Sequence, residues 1–146
     1  MCIRKSLLLF LLLITGCSFL KERIAIKECT FKLKQVRPYD FTLTDLKLDL
    51  TVNIQNPNKI DAVLDRLDYS LSIAGENVFT GVMGQRQRIP AGKSKDILTT
   101  VVLNYQSVSM AIIKAIKEGN PTYSINGRAY IDTPGGSINY PVNISL

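Results

Sequence analysis

A chain of 146 residues with 46% hydrophobic side chains is long enough for one domain with a real core, and its balance of 18 basic to 12 acidic side chains does not call for a nucleic-acid partner. It contains no histidine, which removes the commonest general base and metal ligand together with every histidine-based triad. It has no glycine-rich phosphate loop of the Walker or dinucleotide kind.

The chain opens with Arg4 and Lys5, then an apolar run over residues 7–14, then Thr15-Gly16-Cys17. A basic segment, an apolar segment and small residues in that order describe a secretory signal. A membrane-spanning helix needs about 20 apolar residues. This run has eight and gives way to Ser18, Lys21, Glu22 and Arg23. A cysteine directly after the small residue resembles the lipobox of bacterial lipoproteins; an ordinary cleaved signal with an incidental cysteine is the alternative. The resemblance implies that residues 1–16 are removed and that Cys17 carries acyl chains as the new N-terminus. Two or more chains give stable anchoring, at about 0.8 kcal/mol per buried methylene. In that family an aspartate after the cysteine retains the protein at the inner membrane. Ser18 stands there, which points to the periplasmic face of the outer membrane where a cell has one.

Removal of the signal leaves 130 residues and, with Arg4 and Lys5 gone, lowers the formal charge from +6 to +4. Residues 17–37 are expected to form a tether and a candidate first strand. Lys21, Arg23, Lys27, Lys32, Lys34 and Arg37 crowd this stretch. They would rest on anionic head groups or form the polar outer face of a solvated strand. Cys2 leaves with the signal and Cys17 is consumed, so Cys29 has no internal disulfide partner and is expected to be buried.

From residue 38 onward the pattern is mostly of period two. Phe41 and Leu43 lie on one phase, and Leu46, Leu48, Leu50, Val52 and Ile54 on the other. The slip at Thr44-Asp45 predicts a bulge or break, and Asn56-Pro57-Asn58 predicts the end of a long strand. Leu67, Tyr69, Leu71 and Ile73 mark a second strand, Gly75-Glu76-Asn77 a turn, and residues 78–82 a return strand. Ile89-Pro90-Ala91-Gly92 breaks the pattern. Residues 97–103 are apolar or threonine on both phases, as for a strand covered on two sides. Val108, Ala111, Ile112, Ala115 and Ile116 then recur at helical spacing over residues 107–118, with Ser107 or Gln106 as the start and Gly119 as the stop. Alternation resumes over residues 123–131, turns at Asp132-Thr133-Pro134-Gly135-Gly136, and closes the chain on Ile138, Tyr140, Val142, Ile144 and Leu146.

About seven strands with one short late helix predict an all-β, antiparallel β-sandwich of immunoglobulin or fibronectin type III architecture. The chain lacks the Cys…Trp…Cys pattern of immunoglobulin domains proper. The long strand entering Asn56-Pro57-Asn58, the strand of residues 69–75 with the glycine-bearing return at Gly81, the Ile89-Pro90-Ala91-Gly92-Lys93-Ser94 turn, the helix and the tyrosine-containing strand resemble the late-embryogenesis-abundant type 2 domain. This is also called the water-stress and hypersensitive-response (WHy) domain. The resemblance covers residues 38–146. It implies a folded sandwich associated with desiccation and stress tolerance, with no established catalytic residues and no cofactor. Bacterial members are often exported, and many carry a lipoprotein signal.

Other features read as structure. Asn56, Pro57 and Asn58 account for themselves as a turn, with side-chain amides capping free backbone groups. Asp132-Thr133-Pro134-Gly135 is a hairpin turn and not the Asp-Thr-Gly of aspartic proteases. Asp61, Asp65 and Asp68 lack calcium-loop spacing. Arg86 and Arg88 would blunt an edge strand, or grip a phosphate or an acidic sugar. The sequence thus predicts a non-enzymatic envelope protein held to a membrane through Cys17, acting on protein clients. A periplasmic module recognising a protein, lipid or glycan is the alternative.

Overall fold

The computed structural model describes residues 27–119 and 121–146; Cys17 and the expected signal lie outside them. Among these described residues, eight strands and one helix form. A three-stranded antiparallel sheet has the order β1 (Thr30–Tyr39), β2 (Asp45–Gln55), β6 (Ser94–Asn104). Against it lies a five-stranded sheet in which β3 (Ala62–Ile73) is flanked by β7 (Tyr123–Thr133) and β8 (Gly136–Ser145) on one edge. Its other edge is shared by β4 (Glu76–Met83) and the short β5 (Gln87–Ile89). Helix α1 (Met110–Glu118) joins β6 to β7. The antiparallel sandwich with a late helix expected from the pattern is therefore the fold.

The alternation explains the layers. Leu46, Leu48, Leu50, Val52 and Ile54 of β2 face Leu64, Leu67, Leu71 and Ile73 of β3 in one continuous core, with Ile125 and Ile131 of β7. Each such side chain stabilises the fold by about 1.5–3 kcal/mol relative to exposure. The break expected at Thr44-Asp45 is real. Thr42 closes the loop before β2, accepting from the Asp45 N–H through Oγ1 (3.0 Å) and donating its own N–H to the Asp45 carbonyl (2.8 Å). The strand anticipated within residues 17–37 is β1, which runs on to Tyr39 and pairs with β2 along its length.

Three expectations need correction. Residues 97–103 are covered on one side only: Ile97, Val101 and Leu103 are buried, whereas Leu98 is 64% and Val102 53% exposed. Strand β6 lies at a sheet edge, and among the described residues no layer covers its outer face. The helix starts at Ser109, whose Oγ accepts from the Ile112 N–H (3.4 Å), because the turn at residues 105–108 occupies Gln106 and Ser107. Gly119 ends it at φ 80°, as expected. The hairpin of β3 and β4 turns at Ala74-Gly75, one residue early, with both residues at positive φ (51° and 82°). That is the backbone a two-residue connection between right-twisted strands demands.

Tyr69 sits opposite a glycine on each side, Gly81 of β4 and Gly127 of β7. The Phe79 ring folds across Gly81 and lies 5.8 Å from the Tyr69 ring. A Cβ at Gly127 would lie 2.2 Å from the Asp68 carbonyl oxygen, a backbone atom of the central strand. Gly127→Ala should therefore destabilise the domain by about 1–3 kcal/mol, read as a lowered denaturation midpoint with unchanged m-value.

Candidate functional site

Of the residues singled out in the sequence, Cys17 lies outside the described residues. Asn56, Pro57 and Asn58 are placed clearly. Asn56 is fully buried where the chain crosses from the first sheet to the second. Its Nδ2 donates to the carbonyls of Ile60 (2.8 Å) and Ile89 (3.0 Å). Its Oδ1 accepts from the backbone N–H and the Nδ2 of Asn58, both at 3.0 Å. Its N–H donates to the Lys93 carbonyl (2.9 Å). One amide thus joins the end of β2, the entry to β3 and the exit from β5. Asn58 continues the network. Its side-chain amide pairs with the Lys27 backbone as a peptide would: Nδ2 donates to the Lys27 carbonyl and Oδ1 accepts from the Lys27 N–H, each at 2.8 Å. The Asn58 carbonyl accepts from Gly92 (2.9 Å). Pro57 is exposed and bends the chain between the two amides. The network of the motif extends to a contact the sequence did not reveal, the seating of the N-terminal segment at Lys27.

Cys29 is 6% exposed, as expected of an unpaired thiol. Its N–H donates to the Tyr140 hydroxyl (2.8 Å), which ties the start of β1 to β8. Burial raises the pKa of the Cys29 thiol and of the Tyr140 phenol, so neither is a ready nucleophile or base. A groove of about 320 Å³ runs beside them between residues 28–31 and 140–144.

The charged residues that sequence leaves ambiguous are spent on each other. Arg88 pairs with Asp61. Arg86 reaches both Asp65 and Asp132 at 2.9 Å. Arg66 lies near Asp65 and Asp68, with its guanidinium 3.8 Å above the Tyr130 ring. Asp49, in the middle of the first sheet, takes Arg37 and Thr100 at 2.7 Å each, and Asp96 takes Lys34 (2.7 Å) and Asn53 (2.6 Å). These partners hold Asp49, Asp61 and Asp96 below the usual carboxylate range, led by Arg37, Arg88 and Lys34 respectively; Ser137 and Arg86 do the same for Asp132. No group of three potential metal-ligating side chains occurs among the described residues.

What remains open is the rim of β6. Its outer face presents Leu98 and Val102, and across the seam between the sheets stands Val82 of β4, 60% exposed. A cleft of about 350 Å³ lies between them, lined by residues 82–85 and 97–100. An edge strand offers unpaired backbone N–H and C=O groups. Sequence reasoning missed this feature because apolar residues on both phases of residues 97–103 conceal which face is wet. Only the pairing order settles it.

Comparison with known proteins agrees with this architecture. A family model described as late embryogenesis abundant protein (LEA_2) matches residues 51–146. The solution structure of AT1g01470 from Arabidopsis thaliana is similar at a TM-score of 0.67 and 17% identity, covering 88% of this chain and 86% of that one. A candidate late embryogenesis abundant protein, At2g46140.1, aligns over 98% of this chain and 83% of its own, with a TM-score of 0.58 and 17% identity. A crystal structure of a protein from Archaeoglobus fulgidus aligns at a TM-score of 0.54 and 10% identity, over 84% and 94% of the two chains. At these identities the likeness is one of fold. No curated protein matches the sequence significantly.

Two outcomes are expected. Asn56→Ala strands two carbonyls and two N–H groups and should cost about 3–4 kcal/mol, whereas Pro57→Ala should cost under about 1 kcal/mol. Equal effects in a denaturant titration would show that the proline, not the amide, holds the turn. The pH dependence has two limbs. The lowered carboxylates contribute stability that is present above their ordinary value of 3.8 and lost as pH falls through their folded values. The raised Cys29 thiol contributes stability that is present below 9.0 and lost as pH rises beyond it. Thermal unfolding should therefore show a plateau from about pH 5 to 8 and fall on both sides.

Proposed function

The chain belongs to the late embryogenesis abundant family LEA_2, and from that membership we propose a non-catalytic protein of the bacterial cell envelope, held to a membrane by acyl chains on Cys17, that protects proteins or the envelope during desiccation or related stress. The observation that carries this reading is the wet apolar rim of β6, Leu98 and Val102, with Val82 across the seam. Burying two such side chains against a client offers roughly 2–4 kcal/mol, which corresponds to millimolar binding. Contact that weak is reversible, and it suits transient cover for partly unfolded chains as water is withdrawn. A tether raises the local concentration at which it acts.

A second reading, an accessory module with one fixed partner, is supported by the unpaired backbone of the same edge, which can accept an added strand. Crosslinking in membranes followed by purification separates the two: one stoichiometric partner favours the module, and a spread of clients favours protection.

The proposal makes a joint prediction. Protein beginning at Ser18 should preserve the activity of a labile enzyme through drying and rehydration, and Leu98→Lys/Val102→Lys should at least halve that effect without lowering thermal stability. Protection no greater than that from an inert globular protein would refute the role. In cells, Cys17→Ala should abolish fatty-acid labelling and leave the signal uncleaved; persistent labelling would refute the anchor.

A further inference from the structure

The Asn56-Asn58 network does more than close a turn, because it gathers cations. Lys27 is seated on the Asn58 side-chain amide, Lys59 follows Asn58 directly, and Lys93 is held by the Asn56 N–H beside Gly92, which binds the Asn58 carbonyl. All three are exposed, and none forms an ion pair among the described residues. Lys95 follows on β6, and Glu28 is the nearby counter-charge that remains unpaired. The other acids of this end are occupied, Asp61 by Arg88 and Asp132 by Arg86. The opposite end has a different balance: Asp40, Asp45, Glu76 and Glu118 against Lys47, Lys114 and Lys117, with Lys47 paired to Asp40 and Lys114 to Glu118. The sandwich is therefore electrically polar along its length. Its positive pole is the end at which residue 27 enters.

We propose that this end, with Lys27, Lys59 and Lys93 around Asn58, is a docking surface for an anionic lipid bilayer, so that the domain stands on the membrane with its strands raised and helix α1 away from the surface. The inference rests on the anchoring reading above, since an acyl chain upstream of residue 27 brings this pole nearest to the head groups. Anionic phosphates attract clustered lysines within about a Debye length, near 8 Å at physiological salt, so the contact needs the tether to bring it into range. Elsewhere Lys34, Arg37, Lys47, Arg66, Arg86, Arg88 and Lys114 each lie against a carboxylate.

The test uses the full chain in vesicles, with a fluorophore on Ser94→Cys at the lysine-bearing end or on Gln106→Cys at the far end, and an acceptor dye on the lipid head groups. Energy transfer from position 94 should rise at least twofold when phosphatidylcholine is replaced by vesicles containing phosphatidylglycerol. It should fall back in half-molar salt and in Lys27→Glu/Lys59→Glu/Lys93→Glu, while transfer from position 106 stays low. Equal transfer from position 94 on neutral and anionic vesicles, or a larger rise at position 106, where Phe41 and Leu43 are exposed, would overturn the proposal. Failure of the anchor is read separately, as failure of the chain to float with neutral vesicles. In that case co-sedimentation with anionic vesicles decides: loss of binding in the triple variant sustains the surface, and equal binding of variant and wild type overturns it.

Discussion

The buried amide of Asn56 is the constraint on which the arrangement of this domain depends. Two sheets can stack only if the chain crosses between them, and a crossing leaves backbone groups without a ladder partner in an apolar interior. Asn56 satisfies four of those groups or their neighbours with one side chain, and Asn58 satisfies the next. An aliphatic residue would fill the volume and leave the carbonyls of Ile60 and Ile89 bare. Aspartate would accept where the site must donate. The amide is chosen by its having donors and acceptor at opposite ends of one small plane. Once it is in place, the start of β3 and the end of β5 are fixed, and so is the register of Ala62 with Ile89.

A polar side chain at the centre of a hydrophobic stack is compatible with stability only when every one of its bonds is made. Among the described residues, no buried side-chain nitrogen or oxygen is left without a partner. The same economy governs the surface. Asp49 is nearly enclosed by its neighbours and is matched by a guanidinium and a hydroxyl from the strands on either side. Cross-strand ladders of this kind leave few groups free to bind, and the exceptions stand out: the apolar rim of β6 and the lysines around Asn58.

Much of this was legible in the sequence, for reasons that can be named. The β2 strand announces itself because its two phases differ in every residue from Leu46 to Gln55, and a half-buried strand has no other way to be written. The helix is legible because the spacing changes at Val108 and a glycine follows. The edge position of β6 was not legible, since Leu98, Val101, Val102 and Leu103 satisfy both a central and a peripheral strand, and only the pairing order decides. The helix start falls among three nearby polar residues, Gln106, Ser107 and Ser109, and the two serines are equally competent caps by type. The Lys27–Asn58 and Cys29–Tyr140 contacts span 31 and 111 residues, and no local pattern encodes a partner so distant. The family resemblance supplied the motif but not its reach.

Cys29 shows how the fold governs the fate of a single atom. In an oxidising compartment an accessible thiol is a hazard, because it can couple with any passing sulfur. Here the sulfur is shut away by the contact of its own backbone with Tyr140, which is also the clasp between the first strand and the last. Opening the clasp exposes the thiol, and closing it conceals the thiol again. The rate at which Cys29 reacts with a small oxidant therefore reports how often the start of β1 parts from β8.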